Sequence, residues 1–200
     1  MFEIRTDNKL TAATQTDGVA RLNECRELHN WPEIQDSVSG DRVTVAVMDS
    51  GIDSETANNH WWFDDTNVTK RFDATGSGKG KDDIGHGTGV ASIIAHNTPP
   101  IDIWSVKIFG KSGSTGFPQI KRAYEWMIER GDEIDVVNMS WGASQDVPQI
   151  NKLHERLLNK GVNDVVAAGN TGMDGGSPAT SERAFSAGAI NEDGEPVRRV

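Results

Sequence analysis

Short apolar runs alternate with helical patterns along most of the chain, and this alternation predicts the architecture. The clearest run, residues 43–48, is apolar and rich in β-branched side chains, which is typical of a strand buried on both faces of a parallel sheet. Further strands are expected at residues 101–108, 134–140, 165–168 and 185–190. Strands separated by helices imply right-handed crossovers and a three-layer α/β/α sandwich with a mainly parallel sheet.

The helical patterns between these runs have residues at their ends that are typical of helix boundaries. One helix is expected to begin at His86. Two others have Pro118 and Pro148 in their first turns and end near Gly131 and Gly161, as expected for proline near a helix start and glycine just past its end. In such sheets functional groups gather where the strands end, so the residues after each strand are the candidates for chemistry.

Composition narrows the class of protein. The chain has 200 residues, 36% of them apolar and 25% charged, which is ordinary for a single soluble domain. A net charge of −10 disfavours nucleic acid or an anionic membrane as a partner. The single cysteine, Cys25, excludes an internal disulfide and is expected to be a small buried side chain. Residues 1–7 lack a signal-peptide pattern, so the location stays unknown, with the cytoplasm as the default expectation.

The first candidate for chemistry is Asp49, directly after the most hydrophobic run and before Ser50 and Gly51. A carboxylate at a strand end beside a glycine turn is suited to an active site. An aspartate in such a place is more often a turn former that bonds nearby backbone. Both interpretations stay open for Asp49 on this evidence.

The second candidate is His86, at the start of a helix whose first turns contain mostly small residues. The positive end of the helix dipole favours the neutral imidazole that a general base requires. A nearby carboxylate would set its tautomer and stabilise the imidazolium. The alternative is a histidine that only packs or caps a helix start.

The third candidate is Asn170, which follows an apolar run and Ala167, Ala168 and Gly169. Its side-chain amide could donate a hydrogen bond to an oxyanion that develops beside the sheet. Asparagine is also common in turns for conformational reasons alone, so a structural role stays open.

Together these segments resemble, in order and in surroundings, those of the subtilisin-like serine proteases. Residues 49–51 resemble the aspartate motif of that family, residues 86–91 its histidine motif and residues 168–170 its oxyanion motif. The resemblance spans residues 18–190 and implies an N-terminal extension at residues 1–17 before a peptidase domain at 18–200. It also implies that Asp49 orients His86, that His86 takes a proton from a serine hydroxyl, and that Asn170 holds the oxyanion.

The same resemblance implies a site for a peptide or protein substrate in extended conformation. Its backbone would pair with Ser140, Trp141 and Gly142 by strand addition, and Trp141 is expected to make the pocket rim more aromatic. Ala167, Ala168 and Gly169 would form a wall of the specificity pocket. The adjacent Trp61 and Trp62 could lie near this cleft or could hold a loop.

One part of the family pattern is not found in the chain. The resemblance implies a nucleophilic serine in a Gly-Thr-Ser turn after the oxyanion asparagine, and no such turn occurs before Val200. Ser177, Ser181 and Ser186 are rejected because they lack that turn and a following helix of small residues. We therefore expect a peptidase domain that is incomplete at its C-terminus and inactive by itself.

A chain without the serine segment has two further expected features. Val90, Ile93 and Ile94 of the histidine helix would be left exposed. The protein could also be a catalytically inactive pseudoprotease or fragment that binds extended peptides. No cofactor is expected, and no calcium after the histidine helix, because residues 96–100 are too few for such a loop.

Overall fold

The computed structural model describes residues 4–5, 26–29, 40–78, 80–98, 100–170 and 175–197. Cys25 lies outside the described residues, so its expected burial is not tested. Of the proposed extension at residues 1–17, only residues 4–5 are described.

Parallel strands form the main sheet of the protein. In chain order the strands are β1 (Ile4–Arg5), β2 (Val43–Asp49), β3 (Asn67–Asp73), β4 (Ile101–Lys107), β5 (Val136–Met139), β6 (Gly142–Ala143), β7 (Asn163–Ala167) and β8 (Ser186–Ala187). Six of them form one parallel sheet in the spatial order β3-β4-β2-β5-β7-β8. Strands β1 and β6 pair separately in antiparallel fashion.

Helices cover both faces of the main sheet. They are α1 (Ser54–Asn59), α2 (His86–Asn97), α3 (Phe117–Ile128) and α4 (Pro148–Leu158). Val45 and Val47 of β2 belong to the apolar cluster that α1 and α2 cover, whereas Ala46 and Met48 belong to the cluster that α3 and α4 cover. Alternate side chains of one strand thus enter two cores, as expected for a strand buried on both faces. The predicted α/β fold is confirmed.

The helix boundaries follow the predicted signals closely. Helix α2 begins at His86, directly after Gly85, which adopts a left-handed conformation with φ of 83°. Pro118 and Pro148 lie in the first turns of α3 and α4. Helix α3 ends at Ile128, slightly earlier than expected, and a short 3₁₀ helix, Gly131–Glu133, leads into β5.

Strand β3 and helix α1 are among the elements that the sequence does not predict, and several strands are shorter than expected. Strand β3 alternates between exposed and half-buried residues at the edge of the sheet, so it lacks the continuous apolar run that marks the central strands. Helix α1 has only six residues, too few for a helical period to show. The run at residues 185–190 yields only the two residues of β8. Among the described residues, no helix is long and apolar enough to cross a membrane.

A buried polar chain joins α3, α4 and β7. The Tyr124 hydroxyl lies 3.2 Å from Nδ1 of His154, and Nε2 of His154 lies 3.2 Å from Oδ2 of Asp164. Both rings are fully buried. Burial lowers the pKa of His154 below its usual value, although the neighbouring Asp164 carboxylate opposes this. His154 is therefore neutral in the folded protein at pH 7.

This burial predicts a loss of stability in weak acid. The unfolded chain, with an ordinary histidine pKa of about 6.5, binds more protons than the folded one below that pH. The free energy of unfolding is therefore expected to be flat above about pH 7.5 and to fall as the pH drops through 6.5 towards 5. Urea denaturation at several pH values measures it. In the His154→Gln variant the free energy of unfolding should depend less steeply on pH. The control variant His29→Gln, at an exposed site, should keep the slope of the unchanged protein. Equal slopes in the unchanged protein and both variants would contradict the prediction.

Candidate active site

Asp49 and His86 meet at the carboxyl end of the central sheet. Asp49 is the last residue of β2, and His86 is the first residue of α2. Nδ1 of His86 lies 2.8 Å from Oδ1 and 3.0 Å from Oδ2 of Asp49. The Asp49 side chain is 1% exposed and that of His86 is 16% exposed, so the carboxylate is buried beneath a ring that still reaches solvent. The structure brings together the first two predicted site residues.

Ser50 connects these two side chains to their surroundings. Its backbone N–H donates to Oδ1 of Asp49 at 2.7 Å. Its hydroxyl donates to Oδ1 of Asp82 at 2.8 Å and accepts from the backbone N–H of Gly87 at 2.8 Å. One serine thus holds the carboxylate of β2 and the first turn of α2. No local pattern indicates this role of Ser50, because its hydroxyl bonds residues that lie 32 and 37 positions away along the chain.

Asp82 is a second buried carboxylate, and it holds the start of α2. Oδ1 accepts from the backbone of Ile84 and Gly85, and Oδ2 accepts from the N–H and hydroxyl of Thr88 at 2.9 and 2.6 Å. Burial opposes ionisation of Asp82, but these bonds and the one from Ser50 outweigh it and lower its pKa. An acid a few residues before a helix is a recognisable capping signal that the sequence analysis did not use.

Two glycines allow α2 to approach the end of β2. A Cβ atom on Gly87 would lie 2.3 Å from the carbonyl oxygen of Gly51 and 3.2 Å from Cβ of Asp49. Gly51 itself has φ of 104°, and a Cβ there would lie 2.9 Å from the carbonyl oxygen of Gly80. Neither position has room for a side chain. The small residues noted around His86 are therefore a requirement for its contact with Asp49.

Asn170 and the predicted pocket wall lie where β7 ends. Ala167 is the last residue of β7, Ala168 donates its N–H to the carbonyl of Ala187 at 2.9 Å, and Gly169 has φ of 100°. The Asn170 side chain is half-buried. Strand β7 is separated from β2 by β5 alone, so this segment lies at the same edge of the sheet as Asp49.

The segment Ser140, Trp141 and Gly142 follows β5 and leads into β6. Trp141 is only 2% exposed and packs edge to face against Phe109, with ring centroids 6.4 Å apart. The expectation that Trp141 makes the pocket rim aromatic is therefore wrong for its side chain, because the ring belongs to the core below. Gly142 pairs with Arg5 of β1, so backbone of this segment is already bound by another part of the chain.

Trp61 and Trp62 lie at the other end of α2. They form a short 3₁₀ helix with Phe63, and both rings contact His96, at centroid distances of 5.1 and 5.0 Å. His96 follows His86 by ten residues of helix, a rise of about 15 Å. Of the two interpretations left open, the structure favours the one in which these tryptophans hold a loop.

The rejected serines have their hydroxyls engaged elsewhere. Ser177 accepts from the backbone N–H of Val147 at 2.7 Å and is fully buried, and Ser181 donates to Oε1 of Glu155 at 2.5 Å. On α2, Ile93 is 42% exposed as expected, whereas Val90 and Ile94 pack partly against the α1/α2 cluster. No group of three acidic, histidine or cysteine side chains in the described part of the chain could hold a metal ion.

A buried carboxylate bonded to Nδ1 of a histidine is the arrangement on which the acid–base half of many nucleophilic hydrolase sites is built. Comparison with known proteins supports the assignment to a class of hydrolases. The sequence pattern of the subtilase family matches residues 40–198, and the chain therefore belongs to that family.

The chain is also similar in sequence to individual proteases. The chain is 31% identical to the minor extracellular protease Epr of Bacillus subtilis (strain 168) over 159 residues, which is 74% of the chain and 23% of that protein. It is 30% identical to subtilisin E of the same organism over 173 residues, 78% of the chain and 43% of that protein. It is 28% identical to an intracellular serine protease of Paenibacillus polymyxa over 191 residues, 84% of the chain and 55% of that protein. The chain thus spans about half the length of these relatives or less.

The contact between α2 and β2 predicts a large effect of one methyl group. Gly87→Ala should destabilise the protein by about 2 kcal/mol, because the methyl group would overlap the Gly51 carbonyl and force the backbones apart. Chemical denaturation measures the loss. Gly110→Ala is the matched control, since nothing lies within 4 Å of a Cβ there. Equal stability of the two variants would show that the approach of α2 is not constrained as described.

Proposed function

We propose that this chain is part of a serine endopeptidase that uses the acid–base chemistry of the subtilases. The observation that supports this most directly is the bond between Nδ1 of His86 and the buried Asp49 carboxylate. Membership of the subtilase family agrees with it. The substrates in this proposal are peptides or proteins in extended conformation, and neither nucleic acid nor a membrane is a partner.

The contact between Asp49 and His86 determines which ring nitrogen of His86 can accept a proton. Because Nδ1 of His86 is bonded to Asp49, the opposite nitrogen, Nε2, is the one that can take a proton from a nucleophile. Asp49 also receives a hydrogen bond from the backbone N–H of Ser50, which holds its carboxylate beside the His86 ring, where it stabilises the imidazolium formed in that step. His86 then returns the proton to the leaving amine as general acid.

The remaining roles extend the proposal to the substrate. Asn170 donates its side-chain amide to the oxyanion of the tetrahedral intermediate. The backbone of Ser140, Trp141 and Gly142 pairs with the substrate, and Ala167, Ala168 and Gly169 form a wall of the specificity pocket. The nucleophile is a serine in the family's Gly-Thr-Ser turn, a sequence that does not occur within residues 1–200.

The proposal is tested on the protein produced from the complete reading frame. It should cleave a fluorogenic peptide and be labelled by a serine-directed phosphonate. His86→Ala should lower kcat/KM at least about 1,000-fold by removing the general base. Asn170→Ala should lower kcat by about 100-fold or more with little change in KM. His29→Ala is the matched control. Retention of more than a tenth of the activity by His86→Ala would refute the assigned base.

The same experiment separates the protease from a pseudoprotease. An inactive protein that binds extended peptides would show peptide binding without phosphonate labelling or cleavage. Labelling that depends on His86 would rule that alternative out.

The pairing of β1 with β6 yields a prediction about peptide binding. An incoming strand that used the backbone of Gly142 would have to displace Arg5. Arg5→Pro removes a backbone donor, and deletion of residues 1–17 removes the pairing altogether, so both should raise the affinity for a labelled extended peptide about tenfold. Fluorescence anisotropy measures this. Unchanged affinity in both variants would show that the β6 edge is not part of the peptide site.

A further inference from the structure

A lysine lies fully buried beside the acid–base pair. Lys107 is the last residue of β4 and is 0% exposed. In the parallel pairing of β2 with β4 it is the register partner of Asp49, so the two residues end adjacent strands side by side. The proposed reaction does not assign this cation a role. Burying an ammonium group costs free energy unless hydrogen bonds satisfy it. The groups that Lys107 contacts therefore indicate what its charge does in the fold.

Within the described part of the chain, the ammonium group of Lys107 contacts Ser50 and Asp83. Nζ donates to the carbonyl oxygen of Ser50 at 2.6 Å and lies 3.2 Å from Oδ2 of Asp83. The Ser50 contact is buried, whereas the Asp83 side chain is 21% exposed. The ion pair therefore neutralises the cation from the solvent side, and the short bond to Ser50 points towards the site.

Three groups of Ser50, its carbonyl, its N–H and its hydroxyl, thus form hydrogen bonds. Its carbonyl accepts from Lys107, its N–H donates to Asp49, and its hydroxyl joins Asp82 and the N–H of Gly87. The carbonyl lies in the peptide plane that joins Ser50 to the next residue, and the N–H lies in the plane that joins Asp49 to Ser50. Both planes meet at Cα of Ser50, so a shift of the carbonyl moves Ser50 and disturbs its bond to the Asp49 carboxylate. A charged donor bound to the carbonyl resists that motion more strongly than a neutral donor would.

We propose that Lys107 is a positioning residue for the Asp49–His86 pair, and that it acts by holding Ser50 at its carbonyl oxygen. Lys107 touches neither substrate nor the transferred proton. It keeps the Ser50 N–H aimed at Asp49, and Asp49 in turn keeps the His86 ring oriented. This inference rests on the proposed base and its orienting carboxylate.

The proton shared by His86 and Asp49 reports on this role without any peptide cleavage. NMR of the 200-residue chain follows the low-field resonance of the His86 Nδ1 proton and its exchange with water. Lys107→Met should raise that exchange rate about tenfold, because Ser50 loses its charged donor. Lys107→Gln retains a donor and should stay within about threefold of the unchanged protein. Asp83→Asn keeps the Ser50 bond and should do likewise.

Two controls separate positioning from a general loss of stability. Lys70→Met removes a lysine of β3 that pairs with Glu133 away from the site, so His86 exchange should not change. The amide of Val166, buried in β7, monitors the sheet as a whole. Exchange that rises equally at His86 and Val166 in Lys107→Met would overturn the proposal, and so would no rise at His86.

Each remaining outcome is also decisive. If Lys107→Met does not fold, Lys107→Gln decides: exchange raised tenfold or more at His86 would overturn the proposal, and near-normal exchange would support it. Failure of the protease proposal would appear differently, as a protein from the complete reading frame that keeps a protected His86 proton and cleaves no peptide.

Discussion

The close approach of α2 to the end of β2 is the constraint on which the site depends. Gly87 and Gly51 allow two backbones to meet with no side chain between them. That contact places the first residue of a helix opposite the last residue of a strand, which is why Nδ1 of His86 reaches both oxygens of Asp49. Ser50 and Asp82 hold the start of α2 at this contact, and Lys107 binds the carbonyl of Ser50.

The buried charged groups around this contact have their hydrogen-bond partners close by. Asp49, Asp82 and Lys107 are all buried, and each has partners that satisfy it. Hydrogen bonds from Thr88 and Ser50 offset the burial of Asp82 and lower its pKa. The resulting arrangement is a fixed set of dipoles around one histidine, which needs little rearrangement when a proton moves. Such prearranged surroundings are what the proposed proton transfer by His86 requires.

Sequence reasoning recovered the central strands and the pair, because both have strong local signals. Buried parallel strands are nearly all apolar, and His86 is surrounded by small residues that only a close backbone contact explains. It did not find β3, whose edge position leaves it half polar, nor the roles of Ser50 and Lys107. Those roles arise from strand register and from a loop that folds back, which no periodicity reveals. Trp141 was misplaced because residue type does not tell which way a side chain points between two strands.

Strand β2 couples the two apolar cores of this fold, because it contributes side chains to both. Val45 and Val47 line one apolar cluster, and Ala46 and Met48 line the other, so neither helix layer can separate from the sheet without exposing a strand that the opposite layer also needs. The two cores therefore form and dissolve as one cooperative unit. A single-residue insertion within β2 would exchange the side chains presented to both layers at once, so this strand tolerates changes of residue far better than changes of length.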